Sequence, residues 1–439
     1  MTTPLYDAMQ SYLQSKPARF HTPGHKGSLP FPLAELAPYD LTELPLTGSL
    51  FDEEGPMLDT ESRIATFYGA GASLISAGGA TLCIQGMLGA FCPMGSKLLM
   101  LRGCHRSAVS AAALLELEII WVYPDLPTGA GLPGAVSPKA VADAIHHHPD
   151  ACGLYVTSPD YFGVLQDIAA FQSICAQQGI PLLVDNAHGS HLRFFEGLHP
   201  LVLGADACCD SFHKTLPVLT GGAVLHLKDP ALRPKARAMM ALFGSTSPSY
   251  PIMLSIELAV ARLEDLKTHY QALAIQVGKL RQYALDANVW GVEALADPLR
   301  IVLDYSKSGL DQSSFTALCQ YLGIEPEYTT ATHTVLLPAP LSPLDGVYRL
   351  IDRIRASIPI SPYLNPLPIL DQKLPLRDAI LKDSEPIDIQ DSVGRIAAQI
   401  FAPCPPGVPI TVPGEQICEK AKVFLKNYGA KQIYVVKCI

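Results

Sequence analysis

The sequence predicts an α/β protein with a mostly parallel β-sheet in its larger part, followed by a smaller α+β part. Between residues 72 and 226, short apolar runs alternate with stretches of helical spacing, which favours a parallel sheet covered on both faces. The run at 181–184 is apolar throughout, as strands buried on both faces are. After about residue 290 the pattern changes. We therefore predict an N-terminal arm with active-site loops over 1–60, a large domain over 61–290 and a small C-terminal α+β domain over 291–439.

The elements follow from local spacing and from residues typical of helix ends. Apolar residues at Leu5, Met9 and Leu13 predict an N-terminal helix over 5–13. Ser137 followed by Pro138 predicts the start of a helix over 137–148, and the three histidines that end it suit a helix C-terminus better than a metal site. The other predicted helices are 58–68, 82–91, 167–178, 250–273, 313–322, 344–358 and 416–426. The predicted strands are 72–76, 97–101, 118–123, 151–157, 181–184, 206–210, 221–226, 299–303, 334–338 and 432–436.

Composition limits the classes of function. The formal net charge of −9 argues against nucleic acid as a partner and provides no basic patch for a membrane surface. The most apolar stretch, 108–123, is interrupted by Glu116 and Glu118, so no transmembrane helix is expected. No secretory signal pattern precedes the first helix, which favours a cytoplasmic protein. The eleven cysteines have no metal-type spacing, so we expect reduced core thiols and no metal.

Two residues suggest chemistry at the ends of neighbouring strands. Asp185 directly follows the run at 181–184, and Lys214 comes shortly after the predicted strand at 206–210. Open α/β sheets bind ligands at the carboxyl ends of their strands. A lysine amine and a carboxylate are also the minimum that a pyridoxal phosphate enzyme requires, for the covalent bond to the cofactor and for its pyridine nitrogen. A lysine after a strand is often only a solvated loop residue, so this pair alone leaves both interpretations open.

A glycine-rich turn could hold a phosphate group. Gly78, Gly79, Ala80 and Thr81 join the predicted strand 72–76 to the helical stretch 82–91. Free amides and the positive end of the helix dipole make such a turn suitable for an anion. Gly-Gly turns of this kind also occur without any ligand.

Seven segments together resemble the Orn/Lys/Arg decarboxylase family of fold-type I pyridoxal phosphate enzymes. Their order along the chain is that of the family, from residue 20 to residue 415, so the resemblance covers most of the sequence. The segments are FHTPGHKG at 20–27, DLTELP at 40–45, RGCHRS at 102–107, DNAHG at 185–189, SFHKT at 211–215, STSPSY at 245–250 and PPGVP with PGE at 405–415. The chain departs from the family at 78–84, where several hydroxyl and amide side chains are missing, which suggests weakened phosphate contacts.

The resemblance implies an aspartate aminotransferase-like large domain and decarboxylation of lysine, arginine or ornithine to a diamine or agmatine, as in polyamine biosynthesis. It implies a short form without the N-terminal wing domain, and a homodimer with shared active sites or a higher oligomer. The alternatives are another fold-type I reaction, such as aminotransfer or β-elimination, or a non-catalytic relative that holds the cofactor.

The resemblance also implies roles for individual residues. Lys214 would bind the cofactor covalently, Asp185 would pair with its pyridine nitrogen, and His105 would stack on its ring. His213 or Lys214 would return a proton to the substrate Cα. The predicted catalytic residues are Lys214, Asp185, His213, His105 and His188, and the predicted cofactor-binding residues are these five with Gly78, Gly79, Ala80, Thr81, Ser211, Ser245 and Thr246.

A diamine or agmatine product requires an acidic group for its distal cation. The candidates are Asp40, Glu43 and Glu415. Asp40 and Glu43 could equally be helix caps or solvated loop charges, and Glu415 could simply begin the last helix, where an acid suits the dipole.

Overall fold

The structure is a computed structural model that describes residues 3–19, 22–23, 25–53, 55–126, 134–292, 295–355, 367–402 and 409–437. Parts of two family-like segments, at 20, 21 and 24 and at 405–408, lie outside the described residues. The chain folds into two compact units. The first contains residues 1–91 and 181–270, and the second contains residues 92–180 and 271–439. The predicted domain boundaries at residues 60 and 290 stay a prediction.

Helices alternate with strands between residues 72 and 227, as the sequence predicts. The helices are α1 Pro4–Gln14, α2 Met57–Tyr68, α3 Gly79–Phe91, α4 Arg106–Leu114, α5 Pro138–His147, α6 Ile168–Gln178, α7 Phe212–Thr215, α8 Arg233–Phe243, α9 Tyr250–Val260, α10 Leu263–Asp286, α11 Gln312–Tyr321, α12 Asp345–Ile354, α13 Leu376–Leu381 and α14 Glu419–Asn427.

The strands form one large sheet and two small ones. They are β1 Ala72–Ser76, β2 Lys97–Leu101, β3 Glu118–Val122, β4 Ala151–Thr157, β5 Leu182–Asp185, β6 Ala207–Asp210, β7 Ala223–Leu227, β8 Ile301–Asp304, β9 Tyr328–Thr329, β10 His333–Leu336, β11 Ser384–Asp388 and β12 Gln432–Val436. The large sheet has seven strands in the order β1-β7-β6-β5-β4-β2-β3. The predicted α/β class with a mostly parallel sheet is confirmed.

The first unit places the ends of β5 and β6 side by side. These two strands are parallel, and Asp185 is paired with Cys209. β7 runs antiparallel to both β6 and β1, as a strand leading away from the carboxyl ends would. Every residue of β1, β5, β6 and β7 is buried. Helix α3 packs on β6 and β7, and α2 packs on β1.

The second unit contains the parallel strands β2, β3 and β4 and both small sheets. Its C-terminal part has its own apolar core, in which β11 and β12 pair antiparallel and α14 packs its apolar face inward. The buried members of this core are Leu370, Ile389, Ala397, Ile410, Ile417, Ala421, Leu425, Ile433 and Val435. The predicted α+β character of this region therefore holds for the residues that are described.

One predicted element is wrong. The helical pattern over 250–273 is two helices, α9 and α10, separated at Ala261 and Arg262. No glycine or proline stands at this break, so the spacing of apolar residues could not reveal it. The cysteines that the structure describes are free thiols. None of the described helices combines the length and the apolar character needed to cross a membrane.

Candidate active site

Lys214 lies in the short helix α7, which begins two residues after the end of β6. Its Nζ atom lies 3.0 Å from Nε2 of His188. His188 belongs to the turn after β5, which Gly189 closes by donating its N–H to the Asn186 carbonyl at 2.8 Å. The two predicted catalytic residues therefore meet because β5 and β6 are parallel neighbours.

Asp185 ends β5, and only 1% of its surface is exposed. Its Oδ1 atom accepts hydrogen bonds from the Ala187 N–H at 3.1 Å and from the Cys209 thiol at 3.5 Å. A carboxylate that is fixed and shielded from water in this way can pair strongly with a cationic ring nitrogen.

His213 lies beside Lys214, with its ring nitrogen Nδ1 turned toward the protein. Nδ1 lies 3.1 Å from the Gly222 carbonyl oxygen and 3.2 Å from the Ser211 hydroxyl. A carbonyl oxygen can only accept, so Nδ1 carries the hydrogen and Nε2 remains as the basic nitrogen. Burial lowers the pKa of His213 below its usual value, and the charge of Lys214 acts in the same direction. His213 is therefore neutral near pH 7.

The glycine-rich turn leads into α3, which begins at Gly79. The Gly78 N–H donates to Ser76 Oγ at 3.0 Å, and the Gly79 N–H donates to the Gly221 carbonyl at 2.8 Å. Both of these amides are thus already hydrogen-bonded within the protein. The first turn of an α-helix leaves further amides without helical partners, and here these belong to Ala80 and Thr81.

A cavity of about 330 Å³ opens beside this turn. It brings together several predicted cofactor-binding residues with other hydroxyl and amide groups. Among its lining residues are Gly78, Thr81, Gln85, Ser245, Ser247 and Ser249. Thr246, also predicted to bind cofactor, is exposed next to Ser245. The cavity therefore places hydroxyl and amide side chains beside the glycine-rich turn.

His105 lies in the second unit, where it caps the N-terminus of α4. Its Nδ1 atom accepts the Ser107 N–H at 3.2 Å and lies 2.7 Å from the Ser107 hydroxyl. The stacking role of His105 stays a prediction.

The three acids predicted for the substrate have different surroundings. Asp40 Oδ2 lies 3.1 Å from His25 Nε2, and Glu43 accepts a hydrogen bond from Thr42. Glu43 Oε1 is buried without a hydrogen-bond partner among the described residues.

Glu415 is fully buried and forms a bidentate ion pair with Arg102. Its oxygens lie 2.7 Å from Nη1 and 2.9 Å from Nη2 of that arginine. The Val412 N–H also donates to Glu415 Oε2 at 2.9 Å. This carboxylate therefore already has a full set of protein partners, unlike Glu43.

Sequence reasoning missed a buried group of polar residues next to the catalytic pair. Asp210, the last residue of β6, is fully buried. Its Oδ1 atom accepts from Asn186 Nδ2 at 2.6 Å, and its Oδ2 atom lies 3.1 Å from His199 Nε2 and 3.5 Å from His226 Nε2. His199 lies in a loop 11 residues before Asp210, and His226 lies in β7 16 residues after it, so no local sequence pattern could have revealed these contacts.

These residues fit pyridoxal phosphate. A primary amine, a buried carboxylate and two imidazoles lie at the ends of β5 and β6, and the same unit places the first turn of α3 beside a cavity lined in part by hydroxyl groups. The amine and the carboxylate provide the two contacts that define such an enzyme.

Comparison with known proteins agrees with this chemistry. Residues 3–296 match the family model for the Orn/Lys/Arg decarboxylase major domain, and residues 366–431 match that for the C-terminal domain of the same family. The chain is 27% identical to an arginine decarboxylase of Bacillus subtilis, over 98% of this chain and 94% of that protein. It is also 27% identical to the constitutive lysine decarboxylase of Escherichia coli, over 60% of this chain and 40% of that protein.

The fold agrees as well. The solved structure of the Escherichia coli constitutive lysine decarboxylase superposes with a TM-score of 0.81 and 19% sequence identity, covering 99% of this chain and 82% of that one. The chain belongs to the Orn/Lys/Arg decarboxylase family and is a pyridoxal phosphate-dependent decarboxylase with the type I fold.

Proposed function

We propose that this protein decarboxylates arginine to agmatine, with lysine and ornithine as the alternative substrates. The single observation that carries the choice of a basic amino acid is the family match over both domains. Arginine comes first because the relative named an arginine decarboxylase matches 98% of the chain, whereas the lysine decarboxylase matches 60%. We place the reaction in the cytoplasm and in polyamine biosynthesis.

Lys214 holds the cofactor in our proposal, and Asp185 keeps its pyridine nitrogen protonated. Bound pyridoxal phosphate supplies an electron sink for the electron pair left on Cα when carbon dioxide departs. Asp185 suits its role because it is buried and held by two hydrogen bonds. We assign the phosphate to the Ala80 and Thr81 amides with the Ser211 hydroxyl, since the Gly78 and Gly79 amides have protein partners.

With the substrate bound, the Lys214 amine would be available to move a proton. Once the bond between Cα and the carboxylate breaks, Cα requires one proton to complete the product amine. Lys214 is the better donor than His213, because the lowered pKa of His213 leaves its imidazole neutral. His188 Nε2, 3.0 Å from Lys214 Nζ, accepts a hydrogen bond from the ammonium and directs it.

We assign the distal guanidinium of the substrate to Glu43, with Asp40 as the second candidate. A guanidinium pairs best with a carboxylate that has oxygen lone pairs to offer. Glu43 Oε1 is buried without a hydrogen-bond partner among the described residues, while Asp40 is engaged by His25. Glu43→Gln should therefore raise the KM for arginine by about tenfold, and Asp40→Asn should raise it less.

We also propose a homodimer in which Ser245 and Thr246 serve the neighbouring active site. Both side chains are exposed and are therefore accessible to a partner subunit. Mixing Lys214→Ala and Ser245→Ala proteins should regenerate one intact site per mixed dimer and so restore activity. Sedimentation of the wild-type protein as a monomer would contradict this arrangement.

Product analysis tests the proposed reaction. Cofactor-loaded protein is incubated separately with arginine, lysine and ornithine, and agmatine, cadaverine and putrescine are quantified, with Lys214→Ala as the control. Agmatine as the main product, absent in the control, supports the proposal. A different dominant amine would replace arginine as the substrate, and no amine from any of the three would refute decarboxylation of basic amino acids.

A further inference from the structure

We propose that Asp210 is a positioning residue, which fixes Asp185 and Lys214 relative to each other through Asn186 on one side and two histidines on the other. This inference rests on the proposed cofactor roles of Asp185 and Lys214. It assigns a function to the buried polar group formed by Asp210, Asn186, His199 and His226.

Asn186 joins the two strand ends by two hydrogen bonds. Its N–H donates to the Cys209 carbonyl at 3.0 Å, and its side-chain Nδ2 donates to Asp210 Oδ1 at 2.6 Å. Asn186 directly follows Asp185, and Asp210 precedes Lys214 by four residues. The backbone next to Asp185 is therefore hydrogen-bonded to β6, the strand that precedes Lys214.

The same asparagine also holds the turn that carries His188. Its carbonyl accepts the Gly189 N–H at 2.8 Å, which closes the turn. His188 Nε2 lies 3.0 Å from Lys214 Nζ. Displacement of Asn186 would therefore move the acid and the imidazole together, which makes its anchor on Asp210 more important than one ordinary hydrogen bond.

The charge of Asp210 has to be balanced because the residue is fully buried. Burial alone would raise the pKa of Asp210, but His199 and His226 hold it below its usual value. Asp210 is therefore an anion, and the hydrogen bond from Asn186 is charge-assisted and stronger than a neutral one.

The two histidines are themselves held rigidly. His226 accepts or donates a hydrogen bond with Ser73 at 2.8 Å, and Tyr68 stacks on its ring with centroids 4.6 Å apart. Tyr68 also contacts the His199 ring edge-on at 5.1 Å and donates its hydroxyl to the Ser190 carbonyl at 3.0 Å. These contacts hold the two histidines, and through them Asp210, in place. Asp210 can therefore fix the position of the Asn186 side chain.

Metal binding is the competing interpretation of this group. Ligand atoms of His199, Cys208 and Asp210 lie within 4.8 Å of one another. Burial and the neighbouring Asp210 charge, however, raise the pKa of the Cys208 thiol well above its usual value, which favours the protonated form over a thiolate ligand. Both Asp210 oxygens also have hydrogen-bond partners already. A network of hydrogen bonds describes the group better than a metal site.

Asp206 provides a matched control at the other end of the same two strands. Its Oδ2 atom accepts the Leu182 N–H at 2.9 Å, so it joins β5 to β6 as Asp210 does. It precedes β6, on the side away from Lys214. Asp206→Asn thus weakens the same strand pair without touching the proposed cofactor contacts.

The experiment compares the wild-type protein with Asp210→Asn, Asn186→Ala and Asp206→Asn, and uses Lys214→Ala to identify the visible band of lysine-bound cofactor. Apo proteins are titrated with pyridoxal phosphate, and circular dichroism of that band reports the placement of the ring. Asp210→Asn and Asn186→Ala should each weaken cofactor binding by about tenfold and reduce the dichroic band. Asp206→Asn should change the dissociation constant by less than about twofold.

Asn186→Ala keeps the contacts of Asp210 with both histidines. It therefore tests the inference even if Asp210→Asn does not fold. Wild-type cofactor affinity and dichroism in both variants, or a loss no larger than that of Asp206→Asn, would overturn the inference. A stoichiometric metal ion in the purified wild-type protein, lost in Asp210→Asn, would also overturn it. A wild-type protein without a band that depends on Lys214 would instead refute the proposed cofactor site and, with it, this inference.

Discussion

Two buried carboxylates in the first unit, Glu61 and Asp210, are balanced by different bases. Glu61 on α2 accepts the Ile75 N–H at 2.8 Å and pairs with Arg237 at 2.5 Å and with Arg233 at 2.8 Å. Asp210 has His199 and His226 instead. Arginine keeps its charge at every relevant pH, whereas histidine loses its charge near neutrality. The arginine cluster is therefore charged at every relevant pH and holds β1 in place, whereas a response to pH is expected from His226, because burial lowers its pKa.

The largest effect should come from breaking the arginine cluster. Glu61→Ala leaves Arg237, which is 3% exposed, without its main counter-charge, and should lower the free energy of unfolding by about 3–5 kcal/mol. Urea denaturation measures this loss. Glu53→Ala is the matched control, because Glu53 contacts the same two arginines but is partly exposed, and it should cost less than about 1 kcal/mol. Equal losses in the two variants would contradict the role of burial.

A third carboxylate, Asp160 in the second unit, differs from Asp210 because the effect of burial on its pKa outweighs that of its neighbours. Burial raises the pKa of Asp160 to about 6, while its Oδ1 atom accepts the Val164 N–H at 2.8 Å. Between its usual value and about 6 the folded protein holds a proton that the unfolded chain has released, so stability is gained as pH falls through this range. Asp160→Asn keeps the hydrogen-bond acceptor and removes the charge.

Asp160→Asn should therefore be more stable than the wild type at pH 7.5, by about 2 kcal/mol. The difference should shrink toward pH 5, where the wild-type carboxyl is protonated. Thermal unfolding at both pH values measures it. A variant that is less stable than the wild type at pH 7.5 would show that the Asp160 charge stabilises the nearby Arg300 instead.

The smallest effect concerns the histidine cluster. Burial lowers the pKa of His226 below its usual value. The unfolded chain therefore takes up a proton below about pH 6.5 before the folded protein does, and stability present above this pH is lost as pH falls. From pH 7.5 to 5.5 this contribution should amount to about 1 kcal/mol, and it should be missing in His226→Gln.

Urea denaturation of the wild type and His226→Gln at the two pH values tests this contribution. His146→Gln serves as the control, since His146 is exposed at the end of α5 and should leave the pH dependence unchanged. An unchanged pH dependence in His226→Gln would mean that the histidine cluster does not sense pH.

Local signals in the sequence were sufficient for much of the fold. The apolar run at 181–184 became β5 with Asp185 at its end, and Ser137 caps α5 by accepting the Ala140 N–H at 3.1 Å. Such features depend on residues close in the chain, so spacing and capping residues reveal them.

The contacts that surround the candidate site were less accessible. Lys214 and Asp185 could be placed because each follows a recognisable strand. His226 could not be linked to Asp210, because that contact requires β7 to insert beside β6, with Cys208 and His226 in register. The pairing of Glu415 with Arg102 was also missed, because the two residues are far apart in the chain. A glutamate near a helix start also suits the dipole, so Glu415 had a local explanation. Pairings across the sheet or between distant segments leave no local pattern.

The pairing of Arg102 with Glu415 has a consequence for how the protein is made. The two residues are 313 positions apart, and both are almost completely buried. During synthesis Arg102 therefore leaves the ribosome long before Glu415, which carries its counter-charge. Until then the guanidinium can only remain in water or be buried at a high cost in free energy. We expect chains cut before Glu415 to keep this part of the second unit open, so that cellular proteases can recognise unfinished molecules.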